Sequence, residues 1–355
     1  MRKSKALPSV LLADHGLGWA GGDSYVRNLQ RVLERLDNES FLDLLPHKET
    51  QLWLHLFPPT FRLKRSKEFE ARKFKAIQLP WPLMSGIHRP VQWVPDLQDI
   101  EEPAFFSNQE RESRKSQIIT AQNISTAFYF SSDHARGLFE HCYPDAKTLG
   151  ILRFTVRKDR FSPKLHMTCD NCISEGFYYV PNSWWKHKNH LLLLSAFQEY
   201  QKNGGKKHLI LTGTQGDYRW PSYADEVRSV LEKTAGAHNL GFCTVEQKAS
   251  LYRETFCVIQ PSLYEGWSTT VEEALIYNKK IIVSDLPIFE EQLAGENGFK
   301  TFRRRHKDDL LEAMFATEAQ NVELLDRNYF NRENRFYADA KNLITSARHH
   351  LESIF

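Results

Sequence analysis

The sequence predicts an α/β protein of two domains, each a parallel β-sheet covered by helices on both faces. The chain has 355 residues, about the length of two ordinary domains. Short apolar runs alternate with segments of helical periodicity, as expected for sheets whose strands are buried on both sides. We expect an N-terminal domain over residues 1–160, a C-terminal domain over 161–320 and a helical segment over 321–355.

Composition excludes several classes of protein. Hydrophobic residues make up 41% and charged residues 26%, the balance of a folded globular protein. The net charge of +3 argues against a nucleic-acid-binding protein, and no apolar run is long enough to span a bilayer. Five cysteines cannot form a disulfide framework, and the CxxC of Cys169 and Cys172 lacks the second pair that a structural zinc site needs. We therefore expect a cytoplasmic protein without a bound metal.

The N-terminal residues predict a strand, a glycine-rich turn and a helix. An apolar run over Ser9–Ala13 precedes several glycines, of which the last two are Gly21 and Gly22. Asp23–Ser24 is a candidate N-cap for a helix with apolar residues on one face. The two glycines either let the backbone approach a phosphate or sugar, or simply form a turn. The absence of a clean GxGxxG pattern disfavours a nicotinamide-dependent oxidoreductase.

The alternation of strands and helices continues through both domains. A strand ending near Val94 runs into a loop with Asp96 and Asp99, and such loops often carry functional residues. The following elements are a helix over 109–121, a strand over 126–130 and a helix capped at 131–133. In the second domain we expect strands over 176–180, 208–212, 256–260 and 280–284, helices within 184–203 and over 222–235 and 269–277, and helical structure beyond residue 303.

The segment Pro261–Leu275 carries the strongest chemical pattern. Glu265 follows a predicted strand, at the edge where α/β proteins bind ligands, and Gly266 relieves crowding there. Ser268, Thr269 and Thr270 then start a helix, whose free N–H groups and dipole favour an anion such as phosphate. Glu273 lies in the first turns of this helix, so both carboxylates can approach one ligand. Alternatively, Glu265 is a solvated loop residue and Glu273 a surface helix residue.

The spacing from Glu265 to Glu273 resembles the Glu-x7-Glu signature of retaining GT-B glycosyltransferases, particularly the large family four (glycosyl transferases group 1). Upstream, Phe177–His190 is similar to the segment in which a Lys before Asn or Gly grips the donor diphosphate. Downstream, the similarity continues through Ile282–Pro287 to Gly298. The resemblance covers roughly residues 177–315 well and the N-terminal domain only in outline.

The resemblance implies the GT-B fold: two Rossmann-like domains face each other across a cleft, and the C-terminal helices cross back to the first domain. It implies that Glu265 contacts the transferred sugar, that Lys188 stabilises the leaving diphosphate, and that Asp96 and Asp99 lie on the acceptor side near the transferred sugar. By position, the donor-binding residues would be Gly21, Gly22, Asn182, Lys186, Lys188, Gly213, Gly241, Phe242, Gly266, Trp267, Ser268, Thr269, Thr270 and Glu273.

One residue departs from the family pattern. The family often has an Arg six positions before the Lys, paired with the same phosphates, and here that residue is Asn182. An amide can donate a hydrogen bond but carries no charge, so Lys188, helped by Lys186, would hold the diphosphate.

The implied activity is that of a retaining glycosyltransferase, which moves a hexose from a nucleotide sugar to a glycan or lipid-linked acceptor. No Asp-x-Asp occurs in the sequence, so we expect no metal and no cofactor. The alternatives are a nucleotide-sugar epimerase of the same fold, a catalytically silent nucleotide- or glycan-binding protein, and the oxidoreductase that the glycines disfavour.

A basic cluster over residues 62–75 is interpreted as either a solvated helix face or a peripheral contact with anionic lipid at the inner face of the membrane.

Overall fold

A computed structural model describes residues 8–12, 20–45, 77–79, 90–124, 126–156, 175–320 and 329–354. The basic cluster over 62–75 and the pair Cys169 and Cys172 lie outside these residues. The chain divides into two compact units. The N-terminal unit consists of Met1–Leu97, Ser107–Thr155 and Phe330–Phe355, and the C-terminal unit consists of Gln98–Phe106 and Val156–Tyr329.

The helices and strands alternate along most of the chain. In chain order they are β1 (Ser9–Leu12), α1 (Ala20–Asn38), β2 (Asp43–Leu45), β3 (Ile77–Leu79), β4 (Val91–Val94), α2 (Gln98–Glu101), α3 (Asn108–Asn123), β5 (Ala127–Phe130), α4 (Asp133–Cys142), β6 (Lys147–Ile151), β7 (Phe177–Val180), α5 (His190–Lys202), β8 (His208–Leu211), α6 (Tyr223–Leu231), β9 (Ala237–Asn239), α7 (Val245–Glu254), β10 (Cys257–Gln260), α8 (Thr269–Ile276), β11 (Lys280–Ser284), α9 (Pro287–Gln292), β12 (Phe299–Phe302), α10 (Lys307–Ala319) and α11 (Tyr329–Ile354).

The N-terminal unit contains two parallel sheets in its described residues, with strand orders β2-β1-β3 and β4-β5-β6. The last helix of the chain, α11, belongs to this unit. It buries Phe336, Leu343 and Ile344, and its Asp339 accepts hydrogen bonds from the backbone N–H and the guanidinium of Arg153 at 3.1 and 3.3 Å. The expected return of the C-terminal helices to the first domain is confirmed.

The first helix begins earlier than the sequence predicted. Helix α1 starts at Ala20, so Gly21 and Gly22 lie in its first turn, and Asp23–Ser24 is not its N-cap. The sequence interpretation placed both glycines in a turn before the helix, and each glycine does disfavour helix by about 1 kcal/mol. The buried apolar face that begins at Tyr25 and continues through Leu29 outweighs this local preference.

The C-terminal unit is built on a six-stranded parallel sheet with the order β12-β11-β10-β7-β8-β9. The strands β7 and β10 are fully buried, as their largely apolar sequences predict for a sheet covered on both faces. From β7 the chain moves outward to β8 and β9, and it then returns to β10 and moves outward in the other direction. The carboxyl ends of β7 and β10 therefore meet at the switch point where open α/β sheets bind ligands.

The elements that the sequence interpretation missed are mostly at sheet edges. It identified neither β9 nor β12, which are the edge strands of the six-stranded sheet, nor β6 at the edge of a smaller one. None of these strands is fully buried, so none has a continuous apolar sequence. It also missed helix α7. Among the described helices, none combines the length and the apolar character needed to cross a bilayer.

Candidate active site

Two loops meet at the switch point of the large sheet. The loop after β7 contains a 3-10 turn over Lys186–Lys188, and the loop after β10 contains Glu265. The backbone N–H of Leu263 donates to the carbonyl of His187 at 2.7 Å and so ties the two loops together. Because β7 and β10 are neighbours in the sheet, Lys188 and Glu265 come together although 77 residues separate them.

The carboxylate of Glu265 is held by one of its two oxygens. Oε1 accepts hydrogen bonds from Lys188 Nζ at 2.5 Å, Gln260 Nε2 at 2.6 Å and Ser262 Oγ at 2.6 Å. Glu265 is 9% exposed. Within the described part of the chain, no protein group bonds to Oε2. The side chain is thus fixed in direction and keeps one oxygen available to accept from a ligand.

Of the two lysines in the 3-10 turn, Lys188 is the one that lies beside Glu265. Lys186 places its ammonium 3.2 Å from the centre of the Trp220 ring, and its backbone N–H donates to Asp217 at 2.9 Å. The intervening His187 stays neutral, because burial and the neighbouring charge of Lys188 hold its pKa well below its usual value. The positive charge at the loop therefore resides on lysine.

Histidine 190 at the start of α5 is completely buried. Burial lowers the pKa of His190 to about 3 and keeps the ring uncharged at neutral pH. Its backbone N–H donates to the hydroxyl of Tyr223 at 2.9 Å. In the described residues, no group of three or more His, Cys, Asp or Glu side chains is arranged to hold a metal ion.

Asn182, which the sequence interpretation placed at the donor phosphates, is buried under the loop. Its Nδ2 donates to Gln260 Oε1 at 2.9 Å, and its Oδ1 accepts from Thr270 Oγ1 at 3.4 Å. Gly213 approaches the backbone of Asn182 so closely that a Cβ atom on residue 213 would lie 2.5 Å from the Asn182 carbonyl oxygen. Both polar atoms of the Asn182 side chain therefore form hydrogen bonds within the protein.

Glu273 lies on α8 and is held by helix α7. Its Oε1 accepts from Lys248 Nζ at 2.8 Å, and its Oε2 accepts from the hydroxyl of Tyr252 at 2.8 Å. Burial and the nearby carboxylate raise the pKa of Tyr252 well above its usual value, so the phenol remains a donor. Sequence reasoning missed Lys248 and Tyr252. The available signal was their spacing of four, which places both on one helix face.

Most of the hydroxyl groups at the start of α8 form hydrogen bonds within the protein. Ser268 caps the helix by accepting from the N–H of Val271 at 3.4 Å. Thr270 bonds to Asn182, and Trp267 is buried. Thr269 is the first residue of the helix, and Gly266 precedes it in the loop. The predicted anion site at this end thus consists of backbone N–H groups more than of hydroxyls.

Gly241 and Phe242 lie in the turn between β9 and α7. Gly241 has φ of +69° and donates its N–H to Asn239 Oδ1 at 3.0 Å. Phe242 is 69% exposed and so does not belong to the core. Its exposed ring is free to pack against a ligand.

The two aspartates predicted to lie on the acceptor side, Asp96 and Asp99, fall in different units. Asp96 forms an ion pair with Arg114 at 3.2 Å in the N-terminal unit, where Gly21 and Gly22 also lie. Asp99 is in α2, whose segment Gln98–Phe106 belongs to the C-terminal unit. Two contacts hold that segment there: Glu102 accepts two hydrogen bonds from Arg305 at 2.7 and 2.8 Å, and the guanidinium of Arg219 lies 4.2 Å from the Phe106 ring centre. The predicted boundaries of 1–160 and 161–320 did not anticipate this segment.

Comparison with known proteins agrees with the fold. The family model for glycosyl transferases group 1 matches residues 175–317. The O-antigen chain mannosyltransferase RfbU of Salmonella typhimurium is 25% identical over 153 residues, which are 42% of this chain and 39% of that protein. The match therefore spans well under half of this curated relative.

Solved structures share the fold at low sequence identity. Sucrose-phosphate synthase from Thermosynechococcus elongatus superimposes with a TM-score of 0.62 at 14% identity, covering 98% of this chain and 95% of that one. A glycosyltransferase from Rickettsia africae gives a TM-score of 0.56 at 11% identity and covers 99% of both chains. The fold is that of the GT-B glycosyltransferases. Within this fold, the residues that match the group 1 model include Glu265 and Glu273, the pair on which the resemblance was based.

The close approach of Gly213 predicts a large effect of a single methyl group. Gly213 has φ of +131°, which strains any other residue, and the added Cβ would meet backbone that cannot move aside. We expect Gly213→Ala to lower the free energy of unfolding by about 1–3 kcal/mol, measured by urea denaturation. The control is Gly216→Ala in the same loop, where the Cβ would meet open space. Equal stability of the two variants would contradict this packing.

Proposed function

We propose that the protein is a retaining, metal-independent glycosyltransferase that moves a hexose from a nucleotide sugar to a glycan or lipid-linked acceptor. The observation that carries the proposal is the Glu265 carboxylate, anchored by three donors at one oxygen and left with the other for a ligand, beside the ammonium of Lys188. This arrangement supplies an acceptor for sugar hydroxyls and a cation for phosphate at one point. The curated relative is named as an O-antigen chain mannosyltransferase, so mannose is the first sugar to test.

The chemistry that the site would perform is the cleavage of a sugar–phosphate bond. Positive charge develops on the anomeric carbon as that bond breaks, and negative charge develops on the departing phosphate. Lys188 and the N–H groups at the start of α8 would stabilise the leaving group, a contribution that is usually the largest in such catalysis. In the free protein Lys188 is paired with Glu265, so the arriving diphosphate would compete for it and release the carboxylate toward the sugar.

Glu273 would bind the ribose of the donor. Lys248 and Tyr252 fix both of its oxygens from outside, and each oxygen keeps a lone pair for a ribose hydroxyl. Because a carboxylate hydrogen bond to a ligand is charge-assisted, this contact would add to the affinity for the nucleotide alone. The exposed ring of Phe242 would pack against the base.

A ligand screen tests the proposed function. We expect thermal stabilisation by one nucleoside diphosphate and by its sugar derivatives, and release of that diphosphate only when an acceptor glycan is present. Release without any acceptor would indicate an epimerase. Binding of the nucleotide sugar with no turnover on any acceptor would indicate a silent binding protein, and stabilisation by NAD alone would indicate an oxidoreductase.

The proposed metal independence rests on Lys188 and the helix N–H groups, which would take the place of a cation clamp. We expect turnover of the donor identified by the screen to be unchanged in EDTA. The same reaction with added magnesium or manganese serves as the control. Activity that EDTA abolished and either metal restored would show that the leaving group needs a metal.

Glu265 and Glu273 should separate by the part of the donor that each contacts. We expect Glu273→Ala to weaken binding of the bare nucleoside diphosphate about tenfold to a hundredfold, the value of a lost charge-assisted hydrogen bond. Glu265→Ala should leave diphosphate binding intact or tighter, since Lys188 loses its competing partner, and should reduce turnover. Paired calorimetry with the diphosphate and the intact nucleotide sugar measures both.

The control for this pair is Glu254→Ala, an exposed carboxylate at the end of α7 that precedes β10 and so lies at the opposite edge of the sheet. It should leave both ligands unaffected. If Glu265→Ala lost the bare diphosphate as severely as Glu273→Ala, the division of roles would be wrong. Gln replacements keep the shape of each side chain and should give intermediate values.

A further inference from the structure

We infer that Asn182 and Gln260 are positioning residues, which hold the carboxylate of Glu265 through a one-way chain of hydrogen bonds. Thr270 Oγ1 donates to Asn182 Oδ1 at 3.4 Å, Asn182 Nδ2 donates to Gln260 Oε1 at 2.9 Å, and Gln260 Nε2 donates to Glu265 Oε1 at 2.6 Å. This inference deepens the proposed function and rests on it for the kinetic part of its test.

The carboxylate fixes the direction of this chain. An ionised Glu265 only accepts hydrogen bonds, so Gln260 has to turn its NH₂ group toward it. The carbonyl of Gln260 then faces Asn182, which has to supply its own NH₂ group. The carbonyl of Asn182 remains for the hydroxyl of Thr270. Reversing either amide would place two acceptor oxygens against each other.

Burial makes each orientation costly to change. Gln260 is 0% exposed, Asn182 4% and Thr270 5%, so water does not offer an alternative partner. A buried polar group left without a partner costs about 1–3 kcal/mol, and neighbouring hydrogen bonds in such a chain strengthen one another. A change at Asn182 is therefore transmitted to Glu265 even though the two side chains are not bonded to each other.

The chain accounts for the amide at the position where the family often has Arg. An Arg side chain carries only donors, so it could bond to Gln260 but could not accept from Thr270. In this protein Asn182 orients the carboxylate of Glu265, and Lys188 alone would supply the positive charge that binds the phosphate. The role expected of Asn182 from its alignment with the phosphate-binding Arg is replaced by one inside the protein.

A double-mutant cycle tests the chain. Asn182→Ala and Asn182→Asp are made in the wild-type protein and in Gln260→Met, which keeps the length of glutamine without its polar atoms. An aspartate at 182 only accepts, so it forces Gln260 to turn its carbonyl toward Glu265, whereas alanine only leaves the Gln260 carbonyl without its donor. Gln92→Met removes another fully buried glutamine, in β4 of the N-terminal unit, and is the matched control.

We expect Asn182→Asp to lower kcat by about tenfold or more, and Asn182→Ala to lower it less. The Kd for the bare nucleoside diphosphate should stay within about twofold of wild type in Asn182→Ala. In the Gln260→Met background, Asn182→Asp should cause little further loss of kcat, because the connection to Glu265 is already absent. The control Gln92→Met should leave kcat and diphosphate binding unchanged.

Losses of kcat that multiply in the double variant would contradict the chain. A diphosphate affinity about tenfold weaker in Asn182→Ala, with kcat unchanged, would make Asn182 a phosphate ligand instead. Urea unfolding gives an arm that needs no substrate: the change in midpoint caused by Asn182→Asp should shrink by about half or more in Gln260→Met. If Asn182→Asp does not fold, Asn182→Ala takes its place in this comparison. If the effects of the two substitutions on the urea midpoint are coupled but no donor is turned over, the hydrogen-bond chain stands and the proposed function is rejected. Additive effects on the midpoint would reject the chain.

Discussion

The convergence of three donors on one oxygen of Glu265 is the interaction on which the rest of the site depends. A buried carboxylate is strongly unfavourable unless it is paired and hydrogen-bonded. Here an ammonium, an amide and a hydroxyl meet the same atom at 2.5 to 2.6 Å. Lys188 comes from one loop, and Gln260 and Ser262 come from the end of the neighbouring strand. The loop conformations that bring them together are therefore part of the electrostatic arrangement.

The parallel sheet is what makes this convergence possible. Lys188 arrives from the loop after β7, and Gln260 and Ser262 arrive from the end of β10, the neighbouring strand. The hydrogen bond from Leu263 N–H to the carbonyl of His187 and the close contact of Gly213 with Asn182 then hold the loops in register. The positioning of one side chain thus rests on backbone packing more than on side-chain flexibility.

Sequence reasoning was strongest where the signal is local. The buried central strands have continuous apolar runs, and strand β11 lies where it was expected, at Lys280–Ser284. Glu265 and Glu273 were recognisable because one motif contains both. The partners of Glu273 were not, since Lys248 lies 25 residues away in helix α7, which the sequence interpretation had missed.

The contacts of Asn182 also could not be predicted from local sequence. Its position in the motif pointed to phosphate, and only the pairing of β7 with β10 brings it to Gln260, 78 residues further along the chain. Residues that touch each other across a sheet leave no spacing pattern in a single sequence. The edge strands β9 and β12 were missed for a related reason, because half-exposed strands need not be apolar.

The two carboxylates are held in different ways, and the difference matches the work that the proposed function asks of each. Glu273 has one donor on each oxygen, so its plane is fixed, and in the proposed reaction it would present the same face throughout. Such a group contributes to binding the ground state and the transition state equally. Glu265 is anchored at Oε1 alone, and one of its anchors, Lys188, is also the cation that a departing phosphate would attract. As negative charge grows on the phosphate, the hold of Lys188 on Glu265 would weaken and the carboxylate would become a stronger acceptor for the sugar. An interaction that is stronger in the transition state than in the ground state accelerates a reaction. The ammonium of Lys188, shared between Glu265 and the phosphate, would couple the departure of the phosphate to a stronger contact between Glu265 and the sugar.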